Sequence, residues 1–386
     1  MLQRKGTQHM GNRDTATIGK GTVTIKDLAQ LAALSPATVH LVLTGKPGPK
    51  AETRERVLSL ARQMGYRCNA AASSLKRGTT RIGAVLPRQK GDNELYYAPI
   101  WFGVRDFMKE HADYNLELVE FAYDSGQSIS VPAQTVKEAR ATEKLSGLIV
   151  LGDIEPAACT ELRKCQEQQL PVVLVNSDMQ GIGRISCVQA ENYLLGKTIG
   201  EILLRQTSAG GSILACAGEL RTPANAASIR GLEDYVQEHD AGRKIYKLYY
   251  GYSQQERDKL CRRLREHFAQ LSDIACCCSV TARGSVELAR ALEESGRAGK
   301  LPAVGSDLFP QNVESLRRGT FQNLMFKNPY RQGWLAAEQL FRYIFHGTAE
   351  DVVLVKSEVV FQSLIPMYED DSSGGSWEIN HRLQGR

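Results

Sequence analysis

Long apolar runs are scarce in this chain of 386 residues. None approaches the roughly 20 residues that cross a bilayer as a helix, and the first residues lack the apolar core of a secretion signal. The expected setting is therefore cytoplasmic, with no membrane partner. Paired cysteine spacing is lacking too. Nine cysteines, an odd number that includes the run Cys276, Cys277 and Cys278, show neither a disulfide framework nor a zinc pattern, which suits a reducing compartment. Seven histidines are scattered without metal-ligand spacing, so no metal is expected. P-loop, GxSxG, HExxH and dinucleotide fingerprints are missing. The three adjacent cysteines lie in an apolar strand, where buried small residues are the better reading. The chain is accordingly expected not to be an enzyme and to carry no cofactor.

Charge is unevenly spread. Residues 1–80 carry 13 Lys and Arg against 4 Asp and Glu, whereas the remaining 306 residues carry 35 against 39. An excess confined to the first fifth suits a polyanionic partner, because each basic group that neutralises a phosphate releases counterions.

Residues 1–22 are polar, glycine-rich and basic without periodicity and read as a disordered arm. Thr24 then stands as an N-cap with Asp27 three residues on, followed by Leu28, Leu31 and Ala32 at helical spacing. Ser35 and Pro36 mark a second helix start, a hydroxyl cap before a proline in the first turn. Two short helices joined so tightly predict a helix-turn-helix. In the second helix Val39, Val42 and Leu43 face inward, while Leu41 is predicted to share the outer face with Pro36, Ala37 and His40. There it can meet a thymine methyl. Val57, Leu60, Ala61 and Met64 mark a third amphipathic helix ending near Gly65. Beyond it, Asn69 to Leu75 form a small-residue stretch that would order only against a partner.

Residues 23–87 resemble the LacI family of bacterial transcription regulators. The motif runs VTIKDLAQLAALSPATV, then GKPG, TRERV, the pair Gly65 and Tyr66, and the N-x-x-A-x-x-L hinge at Asn69, Ala72 and Leu75. The resemblance implies base contacts at Pro36, Ala37 and Leu41, and phosphate contacts at Ser35, Thr38, Lys50 and Thr53. On their position, His40 joins the base-contacting set and Thr24 the phosphate set. Leu75 matches a wedge that enters a central minor-groove step. Four residues depart from the family: His40 for serine, Ala33 for glycine in the turn, Cys68 for proline before the hinge and Ser73 for arginine. Without that proline the φ restriction before the hinge is gone.

From Arg81 strands alternate with helices. Strands are predicted at 82–86, 116–122, 147–152 and 171–176, then at 212–217, 245–250, 274–280, 302–307 and 321–326. Helices are predicted between them, at 98–111, 193–206, 254–270, 283–295 and 330–346. Near-continuous apolar strands alternating with helices predict parallel sheets covered on both faces. Two series predict two doubly wound sheets, with a ligand cleft beyond the strands' carboxyl ends. Residues 81–366 resemble the effector domain of the same family, which is similar to periplasmic sugar-binding proteins. That resemblance places Tyr96 and Tyr97 against a sugar ring, Asp307 on its hydroxyls, and Asn176 and Ser177 at the lining. It puts Ser228, Cys278 and Lys327 where the family has arginine, asparagine and glutamine. An available Lys327 would favour an acidic or phosphorylated ligand.

The reading is thus an all-α helix-turn-helix head over 23–67, a hinge over 68–80, and an α/β two-lobed effector and dimerisation domain over 81–366, ending in a disordered tail over 367–386. The expected function is a sequence-specific transcription regulator, a repressor, bound as a homodimer to a pseudo-palindromic double-stranded DNA operator and controlled by a sugar or related metabolite. The alternative is a cytoplasmic small-molecule-binding protein, or an enzyme with a regulatory head.

Overall fold

In the computed structural model, the structure describes residues 23–43, 47–64, 78–90, 93–124, 130–208, 210–219 and 221–368. The chain divides into two units, Met1–Ser73 and Ser74–Arg386.

The first unit holds three helices, α1 (Ile25–Leu31), α2 (Pro36–Leu43) and α3 (Ala51–Gln63). Thr24 and Asp27 form a reciprocal capping box at the start of α1: the Thr24 N–H donates to the carboxylate at 2.7 Å and the Asp27 N–H to the hydroxyl at 3.3 Å. Ser35 caps α2 by accepting from the Thr38 N–H at 3.1 Å. Leu28, Ala29, Ala32, Val39, Val42, Val57 and Ala61 form one small core from all three helices. Arg56 on α3 reaches back to the Ala32 carbonyl at 2.9 Å and so ties the turn to the core. In that turn Ala33 is left-handed, with φ 51°, where a Cβ is unfavourable.

The second unit carries two six-stranded sheets. Lobe 1 is built from β1 (Thr80–Pro87), β2 (Leu116–Tyr123), β3 (Leu145–Leu151), β4 (Val172–Val175), β5 (Ser186–Ala190) and β11 (Val352–Val355), in the order β11-β5-β4-β3-β1-β2. Lobe 2 is built from β6 (Ser212–Gly218), β7 (Ile245–Tyr249), β8 (Ile274–Ser279), β9 (Ala303–Ser306), β10 (Asn323–Phe326) and β12 (Glu358–Val360), in the order β12-β10-β9-β8-β6-β7. Strand pairs are parallel except β10 with β12. The predicted strands are present, with shifted ends. Three more were not predicted: β5 interleaves polar residues, and β11 and β12 are short edge strands.

Helices flank both sheets. Those used below are α4 (Asn93–Glu110), α5 (Ala133–Ala141), α6 (Pro156–Glu167), α7 (Asn192–Gln206), α8 (Pro223–His239), α9 (Gln254–Gln270), α10 (Ala282–Glu294), α11 (Pro310–Arg317) and α12 (Pro329–His346). The chain crosses between lobes after β5, after β10 and after β11. Consequently α12, which follows the last long strand of lobe 2, buries Ala336, Ala337, Leu340 and Phe341 in the lobe 1 core. Its approach to α4 is backbone-close: a Cβ at Gly333 would lie 2.1 Å from the Ile100 carbonyl oxygen. In lobe 2, a Cβ at Gly196 of α7 would lie 1.9 Å from the Ser228 carbonyl oxygen of α8.

The strained turn yields a test. Ala33→Gly relieves the left-handed Cβ at some cost in unfolded-chain entropy and is expected to stabilise the head by about 0.5–1 kcal/mol. The check is a higher denaturation midpoint for the head's transition in the full chain.

Candidate functional site

On the first unit, α2 presents Pro36, Ala37 and His40 to solvent and has no acidic residue in its first turn. Thr24, Ser35 and Lys50 are exposed around it, and Thr38 and Thr53 are half-buried. The Ser35 and Thr38 hydroxyls lie 2.9 Å apart. Leu41 differs from its expected outer placement. It is half-buried, with Cδ1 3.9 Å from the Cβ position of Gly48. Asn69, Ala72 and Leu75 lie outside the described residues, as do Cys68 and Ser73.

On the second unit, a cleft of about 610 Å³ lies at the carboxyl ends of the strands, the place expected for ligands of open parallel sheets. Lobe 1 lines it with Tyr96, Tyr97, Asp153 and Asn176. Lobe 2 adds Thr222, Asn225, Tyr252, Arg283, Asp307 and Lys327. Asp153, Asn176, Tyr252, Asp307 and Lys327 stand one to three positions beyond a strand, where the chain leaves the ladder. Asn176 and Asp307 do so with φ of 77° and 59°, a left-handed turn that Asn and Asp tolerate better than most side chains.

Tyr96 and Tyr97 meet edge to face with centroids 5.3 Å apart, and the Tyr96 hydroxyl donates to Asn176 Oδ1 at 2.8 Å. Burial pushes both phenols well above their ordinary range. The cleft thus keeps a neutral aromatic wall in which the Tyr96 hydroxyl is engaged. Asp307 accepts from the Lys327 ammonium at 2.9 Å and from the Lys327 N–H at 3.2 Å. That ammonium also donates to the Val280 carbonyl at 3.0 Å. The expectation of an available Lys327 is therefore corrected, since its charge is engaged by Asp307.

Three other expected lining residues are not at the cleft. Ser177 is fully buried. Ser228 donates to the Ala224 carbonyl at 3.0 Å, and its backbone carbonyl lies where Gly196 of α7 lets α8 approach. Cys278 lies opposite Ala215 on β8 and fills the lobe 2 core, its thiol pushed well up by burial.

Sequence reading missed Asp153, Thr222, Asn225, Tyr252 and Arg283. Asp153 and Tyr252 follow predicted strands directly, so position just past a strand was the available signal. The Thr222 hydroxyl of lobe 2 donates to Asp153 Oδ1 of lobe 1 at 3.3 Å, and it lies 3.2 Å from the Tyr252 hydroxyl. Asp153 Oδ2 is buried without a hydrogen-bond partner among the described residues. Burial first, then the charge of Glu219, push the Asp153 carboxyl up to about 7, against a pull downward from Thr222.

These features define a two-lobed ligand-binding protein that also carries a helix-turn-helix head. Residues 24–69 match the model of bacterial regulatory proteins of the lacI family, and residues 83–348 match the periplasmic binding protein domain. The chain belongs to the LacI family, with a periplasmic-binding-protein domain behind its head. It is 25% identical over 220 residues to catabolite control protein A of Staphylococcus xylosus, covering 57% of this chain and 63% of that one. With catabolite control protein A of Priestia megaterium it shares 30% identity over 157 residues, 40% of this chain and 44% of the relative. The chain thus matches less than two thirds of the length of these relatives. A glucose-galactose binding protein from Geobacillus stearothermophilus, GanP, superposes with a TM-score of 0.63 at 19% identity, over 75% of this chain and 99% of that one, and shares the two-lobed fold.

The Asp153 carboxyl makes stability pH-dependent. Its raised pKa means that the folded chain holds a proton that the unfolded chain releases, so stability is lost as pH rises from 3.8 towards about 7. Asp153→Asn removes that loss, a difference on the order of 3 kcal/mol between the ends of the window. Thermal unfolding of both proteins across this range should give a flatter profile for the variant.

Proposed function

We propose that this chain is a sequence-specific DNA-binding transcription regulator whose activity is set by a small polyhydroxylated metabolite, a sugar or a related polyol, bound between the lobes. The observation that carries the reading is the conjunction, in one chain, of an acid-free solvent-facing helix bearing Pro36, Ala37 and His40 with an aromatic and polar cleft at the strand ends. Pro36, Ala37, His40 and Leu41 are the proposed base-reading set. Thr24, Ser35, Thr38, Lys50 and Thr53 hold phosphates. Asn69, Ala72 and Leu75 form the minor-groove hinge, with Leu75 as the wedge.

The proposed active species is a homodimer, because two equivalent heads match a pseudo-palindromic operator. It acts as a repressor in the cytoplasm and turns over no substrate. Tyr96, Tyr97, Asn176 and Asp307 take the ligand, joined by Asp153, Thr222, Asn225 and Tyr252. Ligand binding closes the lobes and shifts operator affinity, and the operator shifts ligand affinity by the same factor.

Selection of operators from a random DNA pool, followed by salt titration of the selected duplex, tests the reading. Affinity should fall at least about 100-fold between about 50 and 200 mM salt. Lys50→Ala should lower the slope by about one unit per head. Leu75→Ala should weaken the selected site far more than unrelated DNA. A pool that enriches no sequence, or a flat salt response, would overturn DNA recognition.

A further inference from the structure

The proposal below rests on the ligand-binding reading of the cleft. We propose that Lys327 is a positioning residue that sets the charge class of the ligand: by holding both oxygens of Asp307 and cancelling its charge, it makes the cleft select an uncharged polyhydroxylated molecule over its phosphorylated form.

Asp307 is fixed on every side that the chain controls. Its own N–H donates to the Met325 carbonyl at 2.7 Å. Oδ1 accepts from the Lys327 N–H at 3.2 Å and Oδ2 from the Lys327 ammonium at 2.9 Å. Both side chains are almost wholly buried, at 3% and 9% exposure, so the pair is poorly screened by solvent. Lys327 is itself held, since its carbonyl accepts from Gln332 Nε2 at 2.8 Å and the next residue, Asn328, caps α12. The carboxylate is therefore oriented from the segment by which the chain crosses into lobe 1.

A lysine has three N–H donors, and two are taken by Asp307 and Val280. One donor remains beside the acceptor lone pairs of Asp307, in a pair of no net charge. A hydroxyl, which both donates and accepts, satisfies such a neighbour pair. A phosphate oxygen only accepts, so it has no use for the Asp307 lone pairs, and a pair of no net charge offers its anion no net attraction. Of the other charged lining residues, Arg283 brings one guanidinium and Asp153 one carboxyl, whose burial and the nearby charge of Glu219 favour its neutral form.

Calorimetric titration of the full chain with D-glucose, D-galactose, D-ribose and myo-inositol, each beside its monophosphate, tests this. At least one uncharged probe should bind, with its monophosphate at least about tenfold weaker, a difference of about 1.4 kcal/mol. Asp307→Asn leaves the Lys327 cation uncancelled and should move that ratio at least about tenfold towards the monophosphate. Adding Lys327→Met to Asp307→Asn should abolish the move. The double variant buries no lone charge and avoids the penalty of Lys327→Met alone. A merely structural pair would weaken both probes alike and leave their ratio in place. Preference of the natural chain for a monophosphate, or a ratio unmoved by Asp307→Asn, overturns the role of Lys327 alone. Binding of no probe overturns the ligand reading and this inference with it.

Discussion

A parallel strand buried on both faces has to stop somewhere, and the peptide groups at its carboxyl end must then find partners or water. That requirement organises the effector unit. Asp153, Asn176, Asp307 and Lys327 all stand just past the ends of apolar strands, and each has a polar or ionic role at the cleft mouth. The left-handed turns at Asn176, Asp307 and Asn328 belong to the same economy of space, because the chain must reverse abruptly from strand into connection. The cleft is thus the common margin of two sheets, furnished by the residues with which each sheet ends.

Three crossings between the lobes follow from that layout and make the two sheets a single device. The crossing after β10 sends α12 home to lobe 1, where Gly333 lets it lie against α4. The same crossing carries Lys327, whose ammonium holds Asp307 of lobe 2. The Asp307 carboxylate is therefore tied to the segment by which the chain crosses into lobe 1. From the other side, Thr222 reaches Asp153 across the gap. The cleft lining thus holds a hydroxyl bonded to a buried carboxyl from the other lobe, and a buried ion pair beside the strand ends.

Much of this was legible in the residues. The reciprocal cap at Thr24 and Asp27, the Ser35–Pro36 helix start and the alternating strand blocks followed from local chemistry, which acts over a few residues. Tyr96, Tyr97, Asn176, Asp307 and Lys327 were singled out, and all line the cleft. Ser228 and Cys278 show where alignment by position fails. Ser228 on α8 bonds its own helix at the crossing with α7, and Cys278 on β8 turns to the core. Leu41 shows the same limit on a smaller scale, since helical phase alone does not register the Gly48 backbone near it.

By itself, the sequence determined the two kinds of folding unit, the basic first fifth and the strand ends at which polar chemistry collects, because periodicity, capping and charge are properties of neighbours along the chain. Only the tertiary structure decided that α12 returns to lobe 1, that Thr222 reaches Asp153, and that the Lys327 charge is engaged by Asp307. The Asp307–Lys327 and Thr222–Asp153 pairs join residues 20 and 69 positions apart, and the Tyr330 hydroxyl of α12 donates to Asp106 of α4 across 224. They form because packing brings together residues from different strands and helices, which no pattern of neighbours along the chain specifies.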